Sequence, residues 1–279
     1  MRFHPKSTGA FAVGRLPGRQ RRRAALGIDA PAGFTLIEMA VAVFVIALLL
    51  GSILVPLTTQ VEQRQISDTQ KTMDEIRDAL LGFAAARGYL PCPDTTGDGV
   101  ADPAASPAAP AAPAVCTNYE GWVPWVTLSV ARGDAWDNRF RYRVSPEFTN
   151  TPAAGPCAAD TRIGLCDTGN ITVNTRTGAK VLQALTTNAA VVIASHGRNG
   201  LGATSTGGIA RPAPPAANVD ELTNATAAGA TFVSRPVVGV STGCSDTAGA
   251  TAFCEFDDIV TWISAFTIFN RMVAAGKLP

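Results

Sequence analysis

Charge is scarce in this chain. Asp, Glu, Lys and Arg make up 16% of it, and between Glu38 and Glu62 there is none. Histidine occurs only at His4 and His196, and no Cys-x-x-C spacing appears among the six cysteines, which argues against a structural zinc site built from cysteine and histidine. A basic surface for nucleic acid is missing too. Residues 1–33 carry seven Lys/Arg and one Asp, so the overall charge of +1 hides a strongly basic start and a mildly acidic remainder. No internal repeat is present.

The feature around which the rest is arranged is a long apolar run. Phe34 to Leu57 is 24 residues, about 36 Å as a helix, against a bilayer core of about 30 Å. Its one charge is Glu38, and a lone carboxylate beside hydrocarbon is costly unless a partner neutralises it. Arg15, Arg19, Arg21, Arg22 and Arg23 precede the run. They place the N-terminus in the cytoplasm and send the C-terminal bulk across the membrane. Small residues in an A-x-A arrangement, as ordinary signal peptidase needs, do not follow the run.

The stretch Gly33-Phe34-Thr35-Leu36-Ile37-Glu38 resembles, residue for residue, the cleavage and methylation signal of type IV pilins and type II secretion pseudopilins. The resemblance implies that residues 1–33 are a basic leader, with Gly33 its last residue. Phe34 would be the new, N-methylated terminus, and Glu38 would pair with the terminal amine of a neighbouring subunit. It implies a single-pass inner-membrane protein with a periplasmic domain, later part of a fibre. Its partners would be prepilin peptidase, an inner-membrane assembly platform and other pilin or pseudopilin subunits. The leader is longer than is usual for that family. The other reading of the run is a plain anchor for a periplasmic binding or enzymatic domain. Gly88–Asp94, Ser195–Gly200 and Phe256–Trp262 are also similar to a subgroup of proteobacterial pseudopilin-like proteins.

Beyond Leu57 the helical pattern continues. Ile66, Met73, Ile76, Leu80 and Phe83 or Ala84 recur at helical spacing with polar residues between, so one helix is expected to run to about residue 87 and stop at Gly88 and Pro91. Strands are expected at Trp122–Leu128, Phe140–Val144, Ile171–Thr175, Ala189–Ala194, Thr231–Ser234 and Ile259–Ile263, with a turn at Asp134–Asn138. Pro103–Ala114 reads as an extended loop and residues 197–230 as a long surface loop with little regular structure. A short helix is expected from Ser264, closed by Gly276. The four tryptophans are expected in the core. The fold expected is α+β and pilin-like, a long N-terminal helix with its second half packed on an antiparallel sheet, elaborated by disulfide-closed loops.

Cys92, Cys116, Cys157, Cys166, Cys244 and Cys254 all follow the apolar run, on the oxidising side, and an even count there reads as disulfides. Fifteen connectivities are open, and the grouping favours neighbours: Cys92 with Cys116, Cys157 with Cys166, Cys244 with Cys254.

Asp94, Thr96, Asp98, Gly99 and Asp102 follow the first nine places of an EF-hand-like loop, although the twelfth is Ala105 rather than glutamate. Calcium is the one cofactor this pattern suggests, with Asp257 and Asp258 as further candidates and Asn199 as a companion. Ser195, His196 and either aspartate invite a catalytic triad. Adjacent Ser and His point to opposite faces of a strand, however, and His196 leads straight into a Gly/Asn turn. No catalytic residue is expected, and the chain is read as a structural subunit rather than an enzyme.

Overall fold

The computed structural model describes residues 33–103, 115–149, 163–226, 229–247, 249 and 251–278, with only the backbone for 50–58. The described residues fall into two compact units, divided between Leu54 and Val55.

Helix α1 runs unbroken from Leu36 to Arg87, through Pro56. Within the first unit its described side chains, from Leu36 to Leu49, are exposed and apolar apart from Glu38. Among the described residues no helix is long and apolar enough to cross a membrane. The run read from the sequence reaches Leu57, and residues 50–58 lie outside the described side chains.

Within the second unit α1 is amphipathic. Thr69, Met73, Ile76, Leu80 and Ala84 are buried in a stripe at the expected spacing. The stripe belongs to the main core, with Phe140, Tyr142, Phe148, Ile193, Ile263 and Ile268. Gly88 stops the helix with φ +85°, a left-handed turn that glycine adopts without a Cβ clash.

Among the described residues six strands form one sheet: β1 (Glu120–Trp122), β2 (Arg141–Val144), β3 (Ile171–Arg176), β4 (Leu182–Ser195), β5 (Thr231–Val233) and β6 (Ile259–Ser264). The long strand β4 is its spine. Val191–Ala194 pair with β2 on one edge and with β6 on the other, and the first half of β4 pairs with β3. The sheet is mixed rather than antiparallel, because β5 lies parallel to β3. The chain between those two strands includes β4 and α3 (Val219–Ala225), long enough to return it to the same direction.

The second half of β4 explains its unbroken apolar sequence. Ala190, Val191 and Ile193 face the main core, whereas Ala189, Val192 and Ala194 face a second cluster with Ile171, Val173 and Phe232. A strand buried on both faces loses the usual alternation.

Three sequence expectations are corrected here. Only Glu120–Trp122 enters the sheet, and Trp125–Leu128 forms the short helix α2 instead of continuing the strand. Residues 197–230 are not an irregular surface loop. They hold α3, capped by the Asn218 side chain, with Asp220, Glu221 and Asn224 buried. The tryptophans are half-buried rather than core. Arg139 lies 5.0 Å from the ring centre of Trp122 and 5.1 Å from that of Trp125, so these rings carry a cation instead of filling the interior.

The C-terminal helix α4 (Ala265–Ala274) starts where expected. Ser264 caps it, accepting from the Thr267 N–H, and Gly276 at φ +66° ends it. Cys92–Cys116 and Cys244–Cys254 are bonded as expected, and Cys166 is also disulfide-bonded. Its expected partner, Cys157, lies outside the described residues.

Candidate functional site

The processing segment begins at Gly33, and its helix starts with a reciprocal cap. Glu38 N–H donates to Thr35 Oγ1 at 3.3 Å, and the Thr35 N–H points back to Glu38 Oε2 at 3.4 Å. Thr-x-x-Glu is the capping-box spacing, and a carboxylate in the first turn also faces the positive end of the helix dipole. The Glu38 carboxylate therefore reaches back to Thr35, the residue after Phe34, at the start of α1 rather than turning away along the helix. Phe34 itself is 78% exposed.

A second constellation lies in the other unit. Glu221 comes from α3, while Asp257 and Asp258 come from the segment entering β6. Their carboxylate oxygens lie within 4.8 Å of one another. Each is held by an amide. Asn218 Nδ2 donates to Glu221 Oε2 at 2.7 Å, Asn199 Nδ2 to Glu221 Oε1 at 3.0 Å, Asn199 N–H to Asp257 Oδ2 at 2.8 Å, and Asn224 Nδ2 to Asp258 Oδ2 at 2.8 Å. Gly197, at φ +57°, lets Asp257 approach, since a Cβ there would sit 2.4 Å from the Asp257 carbonyl oxygen. His196 is buried, with Nδ1 3.6 Å from Asp258 Oδ1.

Crowding acids out of water has the expected electrostatic result. Burial first, then the charges of Asp258 and Asp257, push Glu221 up to about 8 against the hydrogen bond from Asn199. Burial and the Asp258 charge push Asp257 up to about 6, opposed by the Asn199 N–H.

The loop at Asp94 is arranged differently. Asp94 accepts from the N–H groups of Thr96, Gly97 and Gly99, at 3.0, 2.6 and 2.8 Å. Asp102 accepts from Thr95 and Thr96, and Asp98 from Val100. These carboxylates serve as acceptors for a tight turn, the usual local work of aspartate. Burial tends to raise Asp102, yet its hydrogen bonds from Thr95 and Thr96 outweigh that and hold it below the ordinary value. Among the described residues, Asp94, Asp98 and Asp102 are not drawn into a metal-type cluster, whereas Asp257 and Asp258 are.

Ser195 donates to Asp134 Oδ2 at 2.6 Å, and His196 faces Asp258 instead. These residues are brought near one another without the Ser-to-His bond of a triad. Gly239-Val240-Ser241-Thr242-Gly243 has the spacing of a nucleophile elbow, but it lies in irregular chain and not at a strand-to-helix turn.

Sequence reasoning missed Glu221 and the cluster role of His196. Glu221 is 36 positions from Asp257 in the chain, and tertiary hydrogen bonds bring it there: Asn224 donates to the Val233 carbonyl and to Asp258 and accepts from the Val233 N–H, and Asn218 donates to the Glu255 carbonyl. The one usable signal was Asn218 three residues ahead of Glu221, a cap spacing that marks a helix start.

No curated protein and no solved structure matches the chain. Its N-terminal segment does have a match: residues 30–54 fit the family model of the prokaryotic N-terminal methylation motif, the signature of type IV pilins and pseudopilins.

Proposed function

We propose that this chain is a minor pilin or pseudopilin, cut after Gly33, N-methylated on Phe34, and drawn from the inner membrane into a type IV pilus or a type II secretion pseudopilus. The observation that supports it best is the motif match at residues 30–54, which contains the Gly33-Phe34 junction and Glu38 at their required spacing. Function here is packing. Many copies of the apolar half of α1 bury one another, and Glu38 neutralises the terminal amine of an adjacent copy, which rewards correct register. The domain after Leu57 faces the periplasm, where its disulfides form.

The test is intact mass and N-terminal sequencing of membrane-extracted protein, with and without prepilin peptidase. The reading expects a chain starting at methyl-Phe34 only when the peptidase is present. An uncut chain, or a cut beyond the apolar run, overturns it. Glu38→Ala is expected to leave the cut intact and to abolish recovery of the subunit in sheared fibres.

A further inference from the structure

We propose that Glu221, Asp257, Asp258 and His196 bind a divalent ion of the first transition row. The inference stands apart from the processing motif and rests on the second unit alone.

Buried polar atoms without partners are uncommon, and each calls for something to satisfy it. Seven such side-chain atoms occur among the described residues, and three belong to these residues: Asp257 Oδ1 and Asp258 Oδ1 of the three-acid cluster, and His196 Nδ1, which lies beside that cluster next to Asp258. All three have free lone pairs when the imidazole is neutral at Nδ1. The His196 side chain is only 3% exposed, and its 3.6 Å approach to Asp258 Oδ1 is too long for a hydrogen bond. No Lys or Arg makes an ion pair with the three carboxylates among the described residues; Arg198 pairs with Glu62 instead. The cluster thus combines three carboxyl groups that no Lys or Arg neutralises with unused lone pairs.

The surroundings resemble a supporting shell. Asn199, Asn218 and Asn224 fix one or both oxygens of each acid, which leaves Asp257 Oδ1 and Asp258 Oδ1 directed elsewhere. Ligand atoms around such an ion sit about 3–3.5 Å apart, given bonds of about 2.1 Å. Closing the 4.8 Å cluster to that span takes a shift of roughly 1 Å, within side-chain reach. Asp257 and Asp258 also line a cleft of about 290 Å³ with Glu62, Trp136 and Val237, so the cluster is approached from the side of the two aspartates.

The donor set selects the ion. Calcium prefers six to eight oxygens, whereas the imidazole nitrogen favours zinc or iron, with the carboxylates also suiting manganese. This differs from the calcium expected at the Asp94 loop, whose carboxylates are already engaged by backbone N–H groups.

The experiment uses the full chain in detergent, stripped with chelator and titrated calorimetrically with Zn²⁺, Mn²⁺ or Ca²⁺. One equivalent should bind, zinc tightest and calcium weakest. Glu221→Gln, nearly isosteric, should weaken zinc at least about tenfold while circular dichroism stays unchanged. His196→Ala should weaken zinc by a similar factor and leave calcium nearly unaffected, removing the preference. For any variant that folds poorly, the visible band of bound Co²⁺ in the wild type, and its change on zinc competition, gives an independent readout. Absence of zinc or manganese binding above the Glu221→Gln level, or calcium binding tighter than zinc, overturns the proposal.

Discussion

Glu38 has two ways to use its carboxylate, and they respond differently to mutation. Within the chain it reaches back to Thr35 as half of a capping box, a role that glutamine also performs. Between subunits it would neutralise an amine, which needs the charge. Glu38→Gln should therefore behave like Glu38→Ala, cut normally but missing from sheared fibres; full incorporation of the glutamine variant would reduce Glu38 to a cap. Asp102 permits a pH test on the other unit. Its folded value lies below the ordinary aspartate value of 3.8, so its bonds to Thr95 and Thr96 add stability that is present above about pH 4 and lost as pH falls through the folded value. Asp102→Asn should be less stable than wild type at pH 7, and the gap should close on acidification; urea midpoints across that range measure it.

At the scale of the element, α1 was legible because period and burial agree. Leu80 is fully buried in the main core, so Leu80→Ala should cost about 2–5 kcal/mol by urea unfolding, whereas Asp78→Ala on the exposed face should change stability by no more than about 0.5 kcal/mol. The same logic located β2, β3, β5, β6 and α4, each marked by apolar residues and a cap or turn. It failed where side chains do not report the backbone. The first half of β4, Leu182–Asn188, is mostly exposed and lacks alternation, and its pairing with β3 is fixed by backbone bonds and by irregular register near Val173. Helix α3 escaped notice because its buried residues are Asp220, Glu221 and Asn224. Polar residues are buried only where tertiary partners await them, and one sequence does not display those partners. The site was partly legible for that reason: Asp257, Asp258 and His196 stand out in sequence, but Glu221, buried on α3, does not.

At the scale of the whole second unit, separate parts are fastened by a buried ionic network that includes α3. Asp220 accepts from Arg176 of β3 at 2.6 Å and from Arg235, just after β5, at 2.8 Å. Arg235 continues to Asp246 at 3.2 Å and to the carbonyl of Cys254 at 3.1 Å, inside the segment closed by the Cys244–Cys254 disulfide, and it stacks on Phe253 and Phe256. Glu221, the next residue along α3, belongs to the carboxylate cluster, so the network and the cluster share one support. The Arg235 and Asp220 side chains are 3% and 0% exposed, and removing one partner from such a pair strands the other charge. Arg235→Ala leaves Asp220 with Arg176 alone and Asp246 without its cation. The expected cost is about 3–5 kcal/mol, with hydrogen exchange rising first in β5, α3 and the loop from Val237 to Phe256, while the buried stripe of α1 stays protected. A double variant, Arg235→Met with Asp246→Asn, removes the stranded charge and keeps apolar contact with the two phenylalanines, so it should recover part of the loss. Equal destabilisation of the single and double variants would mean that neither the stranded charge nor the ring contact accounts for the loss, and that the bonds Arg235 makes to Asp220 and to the Cys254 carbonyl hold this part of the molecule together.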